Sequence, residues 1–323
     1  MSASYGPPEI VRIAEVPTPR PGDGELLVRV HATTVNRTDC GYRAPHPSWA
    51  RVFFGLRRPK ATILGTEFAG EVVEVGPGVA RFEVGDRLFG YVEGTFGAHA
   101  EYLTVAEDGS VATIPDELSH VQAAPATEGA HYALMMLRAA QVAPGSDVLV
   151  YGATGAIGSA AVQLAKHLGA TVTAVCATDH VGMVEGLGAD RVIDYTAGDF
   201  TRHGRTYDAV IDAVGKATFA QCRPLLRARG IYVSSDLGPY GQNVALSLIT
   251  PWLPGRTVRF PIPRHDQEMI ASFRELLATG AFRPVIDRTY PFAQIVEAYR
   301  HAESGRKVGN LVLTVVAPDA DRT

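Results

Sequence analysis

A glycine-rich turn is the clearest chemical signal in this sequence. Gly152, Gly155 and Gly158 lack a Cβ atom, so the backbone there can turn sharply and approach a pyrophosphate closely. A short apolar run at residues 148–150 precedes the turn, and apolar residues at helical spacing follow it. Since free N–H groups at a helix N-terminus attract an anion, we predict a dinucleotide site here. The residues expected to line the pyrophosphate are Ala153, Thr154, Gly155, Ala156 and Ile157.

Alternating strands and helices must position this turn. Short apolar runs at residues 171–175, 191–193, 207–214 and 231–234 predict further strands, with helical stretches between them. The helix before the last of these strands is expected to end at Gly230. Such alternation is typical of a parallel sheet between helix layers. We therefore predict an α/β fold with a doubly wound parallel sheet of the Rossmann type.

The carboxyl ends of these strands are the next candidate binding positions, because open α/β sheets bind ligands there. Ala213, Val214 and Gly215 follow the fourth predicted strand. Ser234 and Ser235 follow the fifth. We expect these residues to border the cofactor.

The first part of the chain has a different character. Between about residues 25 and 113, short β-rich runs are separated by glycines, which predicts a partly open β-barrel. The glycines Gly70, Gly76, Gly78 and Gly85 are expected in tight turns between strands.

Composition limits the classes of partner. The chain has 323 residues, of which 46% are hydrophobic and 20% charged, as is ordinary for a soluble protein with two domains. A net charge of −4 and a pI near 6.2 give no basic surface for nucleic acid or an anionic membrane. Cys40, Cys176 and Cys222 are few and widely spaced, so we expect reduced thiols. No segment approaches the apolar length of a membrane helix and the N-terminal segment lacks a signal pattern, so we expect a cytoplasmic protein.

Segments along nearly the whole chain resemble the medium-chain dehydrogenase/reductase superfamily, in its zinc-independent quinone oxidoreductase-like branch. They include VNRTD at residues 35–39, GTEFAGEVVEVG at 65–76, the GATGAIG turn, GLGADRVIDYTAGDF at 186–200, and the closing segment at 288–315. The resemblance implies a GroES-like catalytic domain formed by residues 1–122 and 262–323. It implies a Rossmann dinucleotide-binding domain at residues 123–261.

Zinc-dependent members of the superfamily carry a cysteine in the segment that reads VNRTD here and a histidine in the one that reads GTE. This chain has neither, and catalytic zinc needs three protein ligands, so we expect no metal site. Cys40 and His46 could contribute ligands in principle, but their context is unsuitable. Without a Lewis acid, hydride addition to a quinone or an enone is easier than alcohol oxidation.

The coenzyme preference rests on the end of the second strand, where NAD-specific proteins usually carry an acid. Cys176 stands there, which favours NADP(H) over NAD(H). Asp179 stands where relatives often have a basic residue, and it would repel a 2′-phosphate, so the preference stays open. Thr178 and His180 are further expected contacts, and the resemblance adds Tyr195.

The resemblance places substrate-facing groups in the loop after the VN residues. Tyr42 is the first choice as proton donor, with a packing tyrosine as the alternative, and Asn36 would orient the substrate or the nicotinamide ribose. His131 is either a donor or a histidine satisfied within a helix. Asn310 resembles the family position on the nicotinamide side, although a turn residue before the last strand is the alternative.

Together these features predict an NAD(P)H-dependent oxidoreductase that reduces quinones or α,β-unsaturated carbonyls. The expected partner is a small carbonyl or quinone substrate, with no nucleic acid and no membrane, and the expected assembly is a homodimer. The apolar segment 246–253 would cover the pocket or form the dimer surface. The alternative functions are an alcohol dehydrogenase and a regulatory protein that binds the nucleotide without turnover.

Overall fold

The computed structural model describes residues 1–46, 51–92, 94–262 and 266–315. Its strands are β1 (Glu25–Thr34), β2 (Glu67–Val75), β3 (Arg87–Tyr91), β4 (Tyr102–Ala106), β5 (Ser110–Thr113), β6 (Asp147–Tyr151), β7 (Thr171–Cys176), β8 (Arg191–Asp194), β9 (Tyr207–Asp212), β10 (Leu226–Ser234), β11 (Thr257–Arg259), β12 (Ile286–Pro291) and β13 (Asn310–Thr314). Its α-helices are α1 (Arg37–Arg43), α2 (Arg51–Phe54), α3 (His120–Ala123), α4 (Glu128–Ala139), α5 (Ala156–His167), α6 (Val181–Gly186), α7 (Phe219–Cys222), α8 (Gln242–Ile249), α9 (Gln267–Thr279) and α10 (Ile295–Glu303). Among the described helices, none combines the length and the apolar character that a membrane crossing requires.

Within the described ranges, the chain divides into two compact units. The first comprises Met1–Glu128, His265–Ala278 and Pro284–Thr323. The second comprises Gly129–Arg264 and Thr279–Arg283. The first unit therefore takes segments from both ends of the sequence.

The first unit is built on a mostly antiparallel sheet with the strand order β12-β13-β1-β2-β3-β5, in which β4 also pairs with β1. Alternate side chains of these strands, including Val28, Phe68 and Leu88, are buried and form one core cluster. The late strand β13 pairs with β1, where Thr314 lies opposite Ala32. This pairing holds the C-terminal segment in the same sheet as the N-terminal one.

The glycine turns of this sheet are only partly as expected. Gly78 and Gly85 have φ values of 77° and 98°, as tight turns require. The turn prediction is wrong for Gly70, which lies inside β2. A Cβ atom on Gly70 would lie 2.2 Å from the carbonyl oxygen of Arg29 on β1, so glycine is needed there for close strand approach.

The second unit contains a parallel six-stranded sheet with the order β11-β10-β9-β6-β7-β8. The order reverses between β6 and β9, which is the topological switch point of a doubly wound Rossmann sheet. The predicted α/β class is therefore confirmed. The runs at residues 171–175, 191–193 and 207–214 form β7, β8 and β9.

One predicted boundary in this sheet is wrong. The helix expected to end at Gly230 ends at Cys222, and a 3₁₀ turn at Arg223–Leu225 leads directly into β10. Pro224 in that turn cannot continue a helix, since it has no N–H group to donate. Gly230 therefore lies within a strand, after Arg229, whose φ of 68° accompanies a shift in the pairing of β10 with β9.

Candidate active site

The glycine-rich turn connects β6 to α5. Gly152 has a φ of 79°, and a Cβ atom on it would lie 2.5 Å from Cγ1 of Val214. A Cβ atom on Gly158 would lie 2.1 Å from the carbonyl oxygen of Gly152. On Gly155, by contrast, it would meet only that same oxygen, at 3.8 Å. Gly152 and Gly158 thus permit close packing, whereas Gly155 leaves open space.

That open space lies at the N-terminus of α5, for which Gly155 is the N-cap residue. Gly155 offers no side-chain hydrogen bond, so it leaves the first N–H groups of this 12-residue helix available to an anion. Ala153 is buried, while Thr154, Gly155, Ala156 and Ile157 are half-buried and keep some accessible surface. These residues fit the pyrophosphate of a dinucleotide.

The ends of β7 and β8 bring several predicted residues together. Cys176 pairs with Asp194, and the Tyr195 N–H donates to the Cys176 carbonyl at 3.1 Å. The Thr178 hydroxyl donates to Oδ2 of Asp194 at 2.5 Å, and this bond is the main cause of the lowered pKa of Asp194. His180 closes the 3₁₀ turn that begins at Thr178. Sequence reasoning missed Asp194. Its carboxylate lies at the end of β8, beside the end of β7, where NAD-specific proteins usually carry an acid.

Asp212 shapes the loop after β9. Its Oδ1 atom accepts hydrogen bonds from the N–H groups of Val214 at 3.2 Å and Gly215 at 2.9 Å. Burial raises the pKa of Asp212, against the effect of these bonds. Because β6, β9 and β10 are parallel neighbours, the loops that follow them lie at the same carboxyl end of the sheet. The glycine-rich turn is the loop that follows β6. The predicted residues at this end are Ala213, Val214, Gly215 and Ser235.

The predicted catalytic residues lie in the first unit, and both are engaged. Asn36 is the N-cap of α1: its Oδ1 atom accepts from the Asp39 N–H at 2.9 Å, and its Nδ2 atom donates to the Thr66 hydroxyl at 2.7 Å. Tyr42 is 6% exposed, its ring packs against Phe96, and its hydroxyl accepts from the Ala61 N–H at 2.7 Å. This buried environment is typical of a packing tyrosine, which is the alternative to a proton donor at this position. The catalytic roles of both residues remain predictions.

Asn310 and His131 also lie in buried positions. Asn310 begins β13 in the first unit, and its Nδ2 atom donates to the Val285 carbonyl at 3.0 Å. His131 lies in α4 of the second unit and is 1% exposed. A contact of either residue with a cofactor remains a prediction.

Sequence reasoning missed a pair of buried carboxyl groups in the first unit, Glu67 and Glu128. Oε1 of Glu67 accepts from the N–H and hydroxyl groups of Thr127 and from the N–H of Glu128, at 3.1, 2.7 and 2.7 Å. Its Oε2 atom accepts from the Thr34 hydroxyl at 2.6 Å. These residues are about sixty positions apart, so no spacing pattern could pair them. The available signal was a glutamate at a helix start, which is also an ordinary choice for helix stability.

The VNRTD and GTE segments meet through the bond between Asn36 and Thr66. Within the ranges that the structure describes, no group of three or more His, Cys, Asp or Glu side chains could hold a metal ion. The side chains of Asn36 and Thr66 at these positions hydrogen-bond to each other.

Two protein families match the chain. Residues 22–116 match the alcohol dehydrogenase GroES-like domain, and residues 187–313 match the zinc-binding dehydrogenase family. The 2-methylene-furan-3-one reductase of Solanum lycopersicum is 30% identical over 321 residues, which cover 96% of this chain and 76% of that protein. A quinone oxidoreductase structure from Coxiella burnetii has a TM-score of 0.85 and 27% identity, and the match covers 98% of both chains.

A third relative is much longer than this chain. Polyketide synthase GfsB of Streptomyces halstedii is 36% identical over 276 residues, which cover 82% of this chain but only 5% of the synthase. The similarity is therefore to one segment of that protein.

Proposed function

Since the chain belongs to the medium-chain dehydrogenase/reductase superfamily, in its quinone-oxidoreductase-like branch, we propose that it reduces quinones or α,β-unsaturated carbonyls. Membership makes the chain an NAD(P)H-dependent oxidoreductase, and the acceptor class is the proposal. The names of its relatives, a quinone oxidoreductase and a furanone reductase, support that class. The observation that carries the dinucleotide site of this reaction is the open, uncapped helix start at Gly155 on the switch-point side of the sheet.

The two units have different tasks in this reaction. When bound, the reduced nicotinamide supplies a hydride. In the second unit, the N–H groups at the start of α5 hold the pyrophosphate, and Asp212 fixes the neighbouring loop through its backbone bonds. We assign to the first unit the hydrogen-bond donor that stabilises the negative charge developing on the acceptor oxygen.

The acceptor class can be tested directly. Purified, EDTA-treated protein is mixed with NADPH or NADH, and the absorbance of the reduced nicotinamide is followed with quinones, enones, aldehydes and ketones. Alcohols are tested with NADP+ or NAD+, and formation of the reduced nicotinamide is followed. We expect consumption with quinones or enones that does not depend on added zinc, because Asn36 and Thr66 replace metal-binding side chains with a mutual hydrogen bond. Activity restored by zinc and confined to alcohols or aldehydes would overturn the proposal. Tight binding without turnover would support a regulatory protein.

Gly155→Ala tests the cofactor site without disturbing the fold. Gly155 has a φ of −74°, which alanine adopts readily, and the new Cβ atom would meet nothing closer than 3.8 Å. We expect an unchanged Tm and a Kd for NADPH raised about 10-fold or more, because the methyl group occupies the space before the helix N–H groups.

The matched control is Gly182→Ala in α6, where a Cβ atom would meet nothing within 4 Å. This variant should bind NADPH as the unmodified protein does. Fluorescence titration measures both affinities, and equal values for the two variants would contradict the assignment of Gly155.

For the coenzyme, we propose a weak preference for NADPH. Cys176 leaves the end of β7 without an acid, which favours NADPH, but Asp194 and Asp179 place carboxylates nearby. Asp179→Asn removes one negative charge and should raise the ratio of kcat/KM for NADPH over NADH about 5-fold, or ~1 kcal/mol. Exposed Asp116→Asn is the control and should leave the ratio unchanged. A ratio that Asp179→Asn does not move would show that Asp179 lies away from the coenzyme.

The assembly we propose is a homodimer formed through the second unit. Leu248, Ile249, Trp252 and Leu253 form an exposed apolar patch in which Trp252 is 88% exposed. The patch includes the end of α8, which packs beside the edge strand β11. Trp252→Asp should convert a dimer to a monomer in light scattering, and an unchanged mass would place the interface elsewhere.

A further inference from the structure

A basic segment of the first unit has no part in the site described above. Between Cys40 and Thr66 the sequence contains five Lys and Arg residues and no Asp or Glu, although the whole chain has a net charge of −4. Arg57, Arg58 and Lys60 are exposed, and their side chains have no hydrogen-bond or ion-pair partner among the residues that the structure describes. Three neighbouring cations therefore face solvent without a counter-charge in contact.

The loop that carries these cations is firmly anchored. The Lys60 N–H donates to the Phe54 carbonyl at 2.9 Å, and the Tyr5 hydroxyl donates to the Gly55 carbonyl at 2.7 Å. Gly55 has a φ of 121°, and a Cβ atom on it would lie 2.1 Å from the carbonyl oxygen of Arg58. Only glycine fits this turn. The backbone thus fixes the positions from which the three cations project, which reduces the cost of ordering them around a ligand.

Both ends of this loop pack on Tyr42. The Phe54 ring lies 5.1 Å from the Tyr42 ring, edge to face, and the Ala61 N–H donates to the Tyr42 hydroxyl at 2.7 Å. The family resemblance places Tyr42 among the substrate-facing groups. The cations are therefore connected by direct packing to the region where the acceptor is expected.

Two exposed aliphatic side chains belong to the same segment. Val52 is 65% exposed and Leu56 is 71% exposed. Guanidinium groups bind phosphate through parallel hydrogen bonds, and an ammonium group adds a point charge. Exposed aliphatic side chains offer contact to a hydrocarbon chain. This combination fits a ligand in which an aliphatic arm carries a phosphate group.

We infer that this segment binds the phosphopantetheine arm of a coenzyme A thioester, and that the acceptor is an α,β-unsaturated acyl group on that arm. The inference rests on the proposed function, because it specifies which α,β-unsaturated carbonyl compound is reduced. A stable protein interface uses about 20 residues or more on each side. The segment offers five exposed apolar and basic side chains, so we assign the arm to coenzyme A and not to a carrier protein.

Binding of 4′-phosphopantetheine tests the phosphate contact without turnover. We expect the double variant Arg57→Gln/Arg58→Gln to raise the Kd about 10-fold or more in isothermal titration calorimetry, because it removes two charge-assisted contacts. Arg138→Gln is the matched control, since Arg138 is also exposed but lies in α4. It should bind 4′-phosphopantetheine as the wild type does. Equal Kd values for the double variant and the wild type would overturn the inference.

Titration with NADPH separates the acceptor arm from the coenzyme. The double variant should bind NADPH as tightly as the wild type, because the inference assigns its cations to the acceptor. A Kd for NADPH raised about 10-fold, with an unchanged Kd for 4′-phosphopantetheine, would assign the cations to a coenzyme phosphate and overturn the inference.

Two thioesters of the same acyl group test the substrate class. Crotonyl-coenzyme A and crotonyl-N-acetylcysteamine share the reacting double bond, but only the first carries phosphates. We expect the double variant to lower kcat/KM for crotonyl-coenzyme A about 10-fold through KM, with kcat unchanged, because the phosphate contacts do not change during hydride transfer. The value for the neutral thioester should stay within about 2-fold. High salt should weaken only the use of crotonyl-coenzyme A. Parallel losses with both thioesters would show a structural role and overturn the inference.

These readouts separate failure of the inference from failure of the proposed function. Reduction of quinones or neutral enones, without binding of 4′-phosphopantetheine, would overturn the inference and leave the proposed function intact. Binding of 4′-phosphopantetheine that depends on Arg57 and Arg58, without reduction of any quinone or enone, would overturn the proposed acceptor class and leave the phosphate site intact. Reduction of the crotonyl group only when a carrier protein holds it would overturn the assignment to coenzyme A.

Discussion

Asp39 shows how a single buried carboxyl group organises the loop that carries the catalytic candidates. Its oxygens accept from the N–H groups of Asn36 at 3.1 Å and Gly65 at 3.0 Å, and burial raises its pKa to about 8. In Asp39→Asn, an NH2 group replaces one of the two accepting oxygens. One of the two backbone N–H donors therefore loses its hydrogen-bond acceptor in a buried position. We expect a loss of about 2 kcal/mol in unfolding free energy, measured by urea denaturation. Exposed Asp116→Asn should cost much less, and equal losses would contradict this role of Asp39.

At the residue scale, the sequence predicted a position correctly where only one residue type fits the backbone geometry. Glycine at 152 and 158 follows from close backbone approach, and local sequence shows the helix that requires it. The partners of Tyr42, Thr38 and Glu128 could not be foreseen, because their contacts join residues far apart in the chain. Local patterns carry no information about such pairs.

At the scale of elements, Gly158 determines how closely α5 approaches β6. A Cβ atom there would lie 2.1 Å from a backbone oxygen, which cannot move as a flexible side chain can. We expect Gly158→Ala to destabilise the second unit by about 3 kcal/mol, seen as a lower Tm. Gly155→Ala is the comparison and should unfold as the wild type does, so similar Tm losses in the two variants would contradict this packing role.

Elements buried on both faces were the easiest to predict. The strands β7 and β9 are mostly buried, and their bounds agree with the sequence within one or two residues. The start of β10 was misplaced because Arg227 and Arg229 interrupt its apolar run, while Pro224 ends the preceding helix early. Tertiary pairing with β9 makes this polar stretch a strand, and local sequence does not show that pairing.

At the scale of the whole molecule, the α/β class followed from the alternation of strands and helices. The return of the C-terminal segment to the first sheet did not follow from periodicity, because β13 pairs with β1, where Thr314 lies opposite Ala32, and β12 joins the sheet only through β13. Only the resemblance to a known family indicated that return. Long-range strand pairing is therefore the level at which sequence patterns alone were insufficient.

The acid stability of the molecule depends on another buried group of the first unit, His99. With Nε2 protonated, His99 donates to the Thr34 carbonyl at 2.7 Å, and burial lowers its pKa to about 4. It lies 3.9 Å from Asp39, but its proton faces Thr34, so we treat the two groups as neutral neighbours and not as an ion pair.

Because the unfolded chain binds the His99 proton more readily, stability falls as the pH drops from about 6.5 to about 4. The loss reaches about 3 kcal/mol when the pKa shift is complete. His99→Gln keeps a donor for Thr34 but does not titrate. The wild-type unfolding free energy minus that of His99→Gln should therefore rise with pH across this window and stay constant above it. Urea denaturation at stepped pH measures this difference, and a constant value from pH 4 upward would show that His99 is not held neutral by burial.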